Sequence, residues 1–562
     1  MEDGKLRIAI AQVNSTVGDL QGNAKKISQT ILKAKEFGAD MVVFPELVLT
    51  GYPPEDLLLK PQFVQDNLAA LKELAKGVDN ILAIVGFVDQ KGRNLYNAAA
   101  IIYNGVVKGV AHKMILPNFG PFDEKRYFTS GEQSAVYQFG KILFGLNICE
   151  DIWHATGPTH KQAKAGAKLI LNINASPYYT GKIKVREKIV KSQAKENNVH
   201  VVYANLVGGQ DELVFDGQSI VVDPKGRLVT LAKAFKEDLL VTDLEIPLRQ
   251  AQGRPNPKTV VIDKEISVKQ RLPLPKSHVK MLEPVEEVYQ ALLLGLKDYV
   301  NKNGFKKVVL GLSGGVDSAL VATLATDALG KDNVVGVFMP SRYSSKASEI
   351  DAKQLAYKLG IKLMTISIEQ LYNIYLVILE PVFAAEAKNI AEENLQARIR
   401  GTILMALSNK FGWLVLATGN KSEMSTGYAT LYGDMVGGFA VIKDVPKTLV
   451  YKLAKYRNHK SFVIPVNVLK KAPTAELRPH QKDTDTLPEY KILDPILKEY
   501  IEEDKSVNQI VKKGFKQELV DRVVGMVDKS EYKRRQSAPG VRITPKSFGK
   551  DRRMPITSKY KG

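Results

Sequence analysis

The sequence predicts an α/β chain of two units: an N-terminal sandwich of two sheets covered by helices, then a C-terminal open parallel sheet. Three observations carry this. The chain has 562 residues, more than one hydrophobic core normally organises. Residues 1–245 hold many short apolar runs, some near enough in sequence to pair as hairpins. From Pro284 onward, strands and helices alternate at the spacing of crossover units, and one strand enters a helix through Gly314-Gly315.

Taken in order, residues 6–13 (LRIAIAQV) form a strand and residues 23–36 have helical spacing. Residues 39–44 (ADMVVF) give a second strand, ending at Pro45-Glu46, and residues 80–88 a third. Residues 98–103 and 105–111 pair as a hairpin at Asn104-Gly105, because these residue types accept the positive φ of a tight hairpin turn. Residues 141–148 (KILFGLNI) are a strand that stops at Cys149-Glu150-Asp151. Strands at 167–173, 199–205 and 219–223 follow, with helical stretches between. Residues 246–283 are rich in proline and polar residues and read as a connector with one strand at 259–262.

The second unit, residues 284–562, opens with a helix to residue 301. Strand 306–312, helix 319–329, strand 333–339, helix 345–359 and strand 362–367 continue it. A strand at 413–417 precedes the loop Thr418-Gly419-Asn420-Lys421-Ser422-Glu423. Residues 401–407 (GTILMAL) are apolar enough for a helix–helix contact between subunits. Residues 529–562 are basic and poor in apolar side chains, which suits a solvated tail or a lid over an anionic ligand.

The net charge of +20 raises nucleic acid as a partner. Lysine is spread along the chain without a long basic block or interleaved aromatics, so the expectation is no nucleic acid; such a surface equally suits anionic nucleotides. No apolar run approaches the ~20 residues of a membrane span, so no membrane association is expected. A single cysteine excludes internal disulfides and cysteine-based zinc clusters, and the start MEDGKLRIAIAQVN runs into a strand without a secretory signal. These features point to the cytoplasm.

Residues 310–320 (LGLSGGVDSAL) carry the first chemical signal. A strand that turns into a helix through glycines aims backbone N–H groups and the positive helix end at one point, which is an anion site. Asp317 would repel a phosphate directly; it fits as a ligand of a divalent cation that bridges to the phosphates. A Walker loop ends in Gly-Lys-Ser/Thr, whereas Val316-Asp317-Ser318 stands here. The string SGGVDS resembles the pyrophosphatase loop of ATP-dependent adenylating enzymes, which cleave ATP to AMP and pyrophosphate.

The second signal is the one cysteine. Glu46, Lys113 and Cys149 each lie at or just past a strand end, where sites are commonly built. A carboxylate can take the thiol's proton, and a lysine lowers the thiol pKa and stabilises a tetrahedral oxyanion. No histidine is needed to complete this trio, so His112 and His154 are read as bystanders. Glu, Lys and Cys in that chain order resemble the nitrilase family of carbon–nitrogen hydrolases, with Glu46 as general base, Lys113 as oxyanion stabiliser and Cys149 as nucleophile. Residues 219–226 (SIVVDPKG) are similar to that family's late strand and turn, and residues 118–128 (NFGPFDEKRYF) would rim the pocket.

Over essentially the whole chain the combination resembles the glutamine-dependent NAD synthetase family. Matching strings are GYPPEDLL (51–58), KMILPNFGPFDEKRYF (113–128), NASPYYTGK (174–182) and ENLQARIRG (393–401). Others are ATGNKSEMSTGYATLYGDM (417–435), PTAELRP (473–479), EYKRRQSAPG (531–540) and FGKDRRMPIT (548–557). The resemblance implies a nitrilase-like α-β-β-α sandwich followed by an adenine nucleotide alpha hydrolase-like domain. It implies a ligase that amidates deamido-NAD, using ATP and ammonia from glutamine. Glutamine would meet Phe119, Ser176 and Lys182; many relatives carry tyrosine where Phe119 stands, which keeps stacking and lacks the hydroxyl. ATP would lie on Gly311, Leu312, Ser313, Gly314, Gly315, Val316, Asp317, Ser318 and Thr418, with Lys447 and Thr474 near its phosphates. Mg²⁺ would fall to Asp317 and Glu423, and deamido-NAD to Asn394, Glu423 and Lys533. A homo-oligomer and an internal ammonia tunnel are implied as well. The alternatives are an amidotransferase for another substrate and a tRNA-modifying enzyme with the same loop. The strings at 393–401 and 531–540 weigh against the first, and the single cysteine against the second.

Overall fold

The computed structural model describes residues 5–247, 259–266, 269–274, 281–383, 386–387 and 389–560. The chain forms two compact units; the first runs to Leu282 apart from Asp211–Leu213, which group with the second, starting at Glu283. No helix among the described residues is long and apolar enough to cross a membrane.

The strands of the first unit are β1 (Lys5–Gln12), β2 (Met41–Val43), β3 (Leu82–Lys91), β4 (Asn94–Tyr103), β5 (Val106–His112), β6 (Val136–Phe139), β7 (Ile142–Ile148) and β8 (Leu169–Asn174). They continue with β9 (His200–Asn205), β10 (Val207–Gln210), β11 (Leu213–Asp216), β12 (Ile220–Val222), β13 (Leu228–Leu231), β14 (Asp238–Glu245) and β15 (Thr259–Asp263). One sheet has the order β14-β1-β2-β3-β4-β5 and the other β13-β12-β9-β8-β7-β6-β15, with β10-β11 as a separate pair. Its helices are α1 (Leu20–Glu36), α2 (Pro61–Lys76), α3 (Pro158–Lys164) and α4 (Lys182–Asn197).

Alternation along the strands builds the layers. Leu6, Ile8 and Ile10 of β1 share a buried cluster with Phe144, Leu146 and Ile148 of β7, so the two sheets face each other. Ala9 and Ala11 point the other way, to Ile27 and Ile31 of α1 and Leu71 and Leu74 of α2. On the second sheet, Val201 and Tyr203 meet Ile183, Val190 and Ala194 of α4. Both faces of each central strand are therefore covered, which is why these strands read as nearly continuous apolar runs. The result is the α-β-β-α sandwich that the resemblance implied. The hairpin turns where expected, with Asn104 at φ 47 and Gly105 at φ 82.

Two strands changed the sequence-based picture. The strand expected at 259–262 is β15, and it pairs in parallel with β6 of the first unit. Within the rest of the expected connector, residues 248–258, 267–268 and 275–280 lie outside the described residues. Strand β14, which the sequence reading lacks, closes β1 along its whole length. Its acidic and threonine residues break up the apolar pattern that marks the other strands.

The second unit has β16 (Val308–Gly311), β17 (Val334–Phe338), β18 (Lys362–Thr365), β19 (Leu414–Ala417) and β20 (Phe439–Ala440), all parallel, in the order β18-β17-β16-β19-β20. Its main helices are α5 (Pro284–Lys302), α6 (Val316–Leu329), α7 (Lys346–Leu359), α8 (Glu369–Phe383), α9 (Ile390–Phe411), α10 (Lys421–Thr426) and α11 (Lys447–Lys460). The chain steps outward from β16 through β17 to β18, then returns to the other side at β19. That reversal opens a crevice at the carboxyl ends of β16 and β19, where such sheets bind ligands. Helix α6 begins at Val316, earlier than expected, so Asp317 lies in its first turn. The segment 401–407 is in α9; Gly401 and Leu404 are buried in their own unit, and Met405 is 38% exposed.

The basic end of the chain is a packed part of this unit. Val541, Ile543 and Phe548 are buried. Asp444 Oδ2 accepts the N–H groups of Ile543 and Thr544, each at 2.8 Å. Lys421 Nζ, at the start of α10, donates to Glu502 at 2.7 Å and to Thr544 Oγ1 at 2.8 Å.

Gly86 of β3 lies beneath the turn that follows β2. A Cβ there would come within 2.4 Å of both Leu47 N and Pro45 O, the neighbours of Glu46. Gly86→Ala is therefore expected to destabilise the protein by about 1–3 kcal/mol through overpacking against backbone. Urea denaturation checks this; an unchanged midpoint would mean that the turn has room to shift.

Candidate active sites

In the first unit the turns after β2 and β7 both place a non-glycine residue in the left-handed region, Leu47 at φ 45 and Cys149 at φ 46. Such backbone persists only where the surroundings over-determine it. Glu46 is fully buried, and Oε1 accepts Lys113 Nζ and Asn97 Nδ2, each at 2.7 Å. Its Oε2 accepts the N–H of Ala175, just past β8, at 2.8 Å. Lys113, 0% exposed, also donates to Glu124 Oε1 at 2.8 Å, and that oxygen accepts the Tyr52 hydroxyl at 2.9 Å. Glu124 Oε2 is buried with no hydrogen-bond partner among the described residues.

Burial alone would discharge Lys113, but the charges of Glu124 and Glu46 reverse this and hold its pKa well above the usual lysine value. Burial pushes Glu124 up to about 6, against the pull of Lys113. Cys149 also moves up: burial is the main cause, the Glu46 charge adds to it, and Lys113 opposes. The lysine does pull the thiol pKa down, as expected, but burial first and the surrounding carboxylates second outweigh it.

The residues expected around glutamine are placed unevenly. Ser176 is buried, with its N–H on Asn205 Oδ1 at 3.0 Å and its carbonyl accepting Arg186 Nη2 at 3.2 Å. Arg186 is in turn paired with Asp216 at 3.0 Å, both fully buried. Lys182 opens α4 with Nζ 4.3 Å from the Trp153 ring centroid and 4.9 Å from that of Tyr179. Phe119 is on the surface, 60% exposed and edge-on to Phe122 at 5.7 Å. The structure thus brings Glu46, Lys113, Cys149 and the 175–176 backbone together and leaves Phe119 outside the packed cluster.

In the second unit a cavity of ≈ 270 Å³ fills the β16/β19 crevice. Every loop residue from Gly311 to Ser318 lines it, together with Thr418, Glu423, Lys447 and Thr474. The loop is held by its own hydroxyls: Ser318 Oγ accepts Ser313 N, and Ser313 Oγ accepts Gly315 N, both at 3.3 Å. Gly314 has φ 78, and a Cβ there would come within 2.5 Å of Ser348 O, so only glycine fits. Asp317 Oδ1 accepts Asn420 Nδ2 at 2.9 Å, and Oδ2 accepts Lys447 Nζ. Lys447 also reaches Glu423 Oε1 at 3.2 Å. Burial raises the Glu423 pKa to about 8 in spite of Lys447. Asp317 and Glu423 hold Lys447 above its usual value against its burial.

Asn394 and Lys533 do not line this cavity. Asn394 Oδ1 accepts Thr430 Oγ1 at 2.8 Å, and Lys533 Nζ donates to the carbonyls of Gly427 and Ala429, each at 2.8 Å. Four residues that the sequence reading passed over are prominent: Glu124, Arg400, Lys471 and Glu476. Arg400 lines the cavity with Nε on Met339 O at 2.9 Å, and burial lowers its pKa to about 10. Lys471 pairs with Glu476 at 2.9 Å, and both line the cavity. Glu124, Arg400 and Glu476 lie inside matching strings, but a string does not tell which of its side chains faces inward.

Comparison with known proteins agrees with this layout. A family model for carbon–nitrogen hydrolases matches residues 7–253, and one for NAD synthase matches residues 288–537. Fold and sites therefore define a two-unit α/β enzyme in which an amide-hydrolysing sandwich is joined to a nucleotide-binding parallel sheet. A glutamine-dependent NAD(+) synthetase of Thermotoga maritima is 48% identical over 99% of this chain and 99% of its own length. One of Aquifex aeolicus is also 48% identical, over 99% of this chain and 100% of its own length. The chain belongs to the glutamine-dependent NAD(+) synthetase family. A solved structure of that synthetase from Acinetobacter baumannii, in complex with ADP, has 42% identity and a TM-score of 0.75, covering 98% of each chain. One from Cytophaga hutchinsonii, at 24% identity and TM-score 0.82, covers 99% of this chain and 98% of its own and shares the fold.

Removing the ammonium between Asp317 and Glu423 leaves two carboxylates facing each other. Lys447→Met is expected to lower stability of the ligand-free protein by about 2 kcal/mol, less than for a fully buried pair because the carboxylates reach solvent. Thermal melts of parent and variant check it, and an unchanged melting point would sink the pairing.

Proposed function

We propose that the chain makes NAD by amidating deamido-NAD, with ATP as co-substrate and glutamine as the ammonia source. The observation that carries this is the presence in one chain of both a buried Glu46–Lys113–Cys149 group and a pyrophosphatase loop carrying Asp317. Residues 1–245 are assigned the glutaminase and residues 284–562 the synthetase. In the first, Glu46 takes the Cys149 proton as sulfur attacks the glutamine amide, and Lys113 stabilises the oxyanion. Glu46 then returns the proton to departing ammonia, and water releases glutamate from the thioester. Phe119, Ser176 and Lys182 are assigned to glutamine.

In the second unit, Gly311 to Ser318 with Thr418, Lys447 and Thr474 are assigned to ATP, and Asn394, Glu423 and Lys533 to deamido-NAD. The nicotinate carboxylate attacks the α-phosphorus, pyrophosphate leaves, and ammonia displaces AMP from the acyl-adenylate. The loop N–H groups and Lys447 stabilise charge on the phosphates. Asp317 and Glu423 are hard oxygen donors held by a single cation, Lys447, which suits a Mg²⁺ that takes its other ligands from phosphate and water. When bound, Mg²⁺ would neutralise phosphate charge. No described cluster of three or more His, Cys, Asp or Glu could hold a metal without such help.

The proposed partners are these small molecules, without nucleic acid or membrane, and the proposed location is the cytoplasm, which suits a single free thiol. A homo-oligomer is proposed too, supported by the exposed apolar row Leu371, Ile374, Ile378 and Val382 along α8. Light scattering is expected to give a mass above the 62.1 kDa monomer; an active monomer at micromolar concentration would remove this part.

The reaction is tested by incubation with deamido-NAD, ATP, Mg²⁺ and either glutamine or ammonium, followed by assay of NAD, AMP and pyrophosphate. Cys149→Ala is expected to lose glutamine-driven synthesis by ~10³-fold or more while keeping ammonium-driven synthesis. Asp317→Ala is expected to abolish both. If both activities of the Cys149 variant fall together in a folded protein, the two-site account is wrong.

A further inference from the structure

One buried carboxylate of the first unit has no part in the chemistry above. Asp151, 0% exposed, lies two residues after Cys149 in the same short turn, Cys149–Ile152. Its Oδ1 accepts the N–H groups of Met114 at 3.1 Å and Ile115 at 2.8 Å, and its Oδ2 accepts the N–H of Ile148 at 3.0 Å. Met114 is the residue after Lys113, and Ile148 is the residue before Cys149. We propose that Asp151 is a positioning residue for glutamine hydrolysis, its carboxylate fixing the oxyanion lysine relative to the nucleophile; this rests on the roles given to Lys113 and Cys149 above.

The topology shows why such a link matters. Lys113 follows β5, on the edge of one sheet, and Cys149 follows β7, inside the other. The inner faces of the two sheets meet mainly through apolar packing, which has no direction, although hydrogen bonds such as Tyr137 OH to Val110 O at 3.3 Å and Ser219 N to Gln12 Oε1 at 3.0 Å also cross. Apolar packing sets a spacing and tolerates sliding. Hydrogen bonds have direction, and one planar carboxylate that accepts from both strand ends fixes their register. Glu46 does the same for the base, through Ala175 after β8. Asp151 does it for the lysine and the thiol. Burial raises the Asp151 pKa to about 7, while its three amide donors and Lys113 favour the charged form. A buried carboxylate on three amides is otherwise an unfavourable choice at a strand end, where serine or asparagine could cap the turn.

Asp151→Asn keeps the shape but puts an NH₂ group against a backbone N–H on one side of the bridge; Asp151→Ser is too short to span it. For both, kcat for glutamine-driven synthesis should fall by about 100-fold, as for a misplaced reacting group, with KM for glutamine unchanged. Ammonium-driven synthesis should stay at the parent rate. Alkylation of Cys149 by iodoacetamide, which forms no oxyanion, should also stay near the parent rate. Cys149→Ala, run alongside, tests the two-site reading itself. The proposal is overturned if either variant keeps the parent kcat, or if the loss appears in KM alone. It is also overturned if Cys149 alkylates at the rate of the urea-unfolded chain, because Asp151 would then only hold the fold.

Discussion

A lysine ammonium with no solvent exposure is tolerable only with carboxylates against it, and the first unit is organised by that requirement. Lys113 needs both Glu46 and Glu124. Glu46 needs further donors for its second oxygen and finds one at Ala175, beyond β8. Gly86 must lack a side chain so that the Glu46 turn can settle on β3. The positive φ at Leu47 and Cys149 follows from the same crowding. One cation and two anions leave a net negative charge beside the sulfur. That charge adds to burial, the larger cause, in pushing the Cys149 thiol up against the pull of Lys113.

The second unit meets a similar demand differently. Lys447 again lies between two carboxylates, but Asp317 and Glu423 reach the cavity and Asp317 stands in the first turn of α6. That turn's N–H groups and positive helix end favour negative charge there, whether on Asp317 or on a phosphate. The Lys447 ammonium lines the cavity, whereas Lys113 is locked on every side. One lysine between two acids is thus a closed frame in one unit and part of a cavity wall in the other.

Much of this was legible in the sequence. Strands covered on both faces are long apolar runs, so β1, β3, β7, β8, β9 and β17 declared themselves. Glu46 and Cys149 were visible because each follows an apolar run, and Lys113, after the half-exposed edge strand β5, because it completes the Glu, Lys, Cys chain order. The SGGVDS turn was visible because glycines, hydroxyls and an acid rarely follow a strand together without a ligand. Strand β14 was hidden by its interrupting polar residues; β15 was expected, but its place beside β6 could not be read from the proline-rich stretch around it. Glu124 was hidden because it lies in a single short helical turn, Glu124–Arg126, where no periodicity tells which side faces inward. The thiol's upward shift was hidden for another reason: it depends first on burial and then on how many carboxylates surround the sulfur, and both are set only in three dimensions. Asp151 could be seen beside Cys149, but its partners at Met114 and Ile115 come from the other sheet.

The fastening of the chain's end has a consequence for the order in which the protein can be completed. Helix α10, which carries Glu423, is held at Lys421 by Thr544, a residue 123 positions later, and Asp444 waits for the amides of Ile543 and Thr544. The partners of the first unit's sheets, by contrast, are all present once β15 has been made. On a ribosome, then, the first unit's sheets can close while much of the second unit is unwritten, and the latter acquires these supports only once residues 543–544 have been made. A chain that stops before residue 543 would have its first unit whole and its second without the ties that steady Glu423.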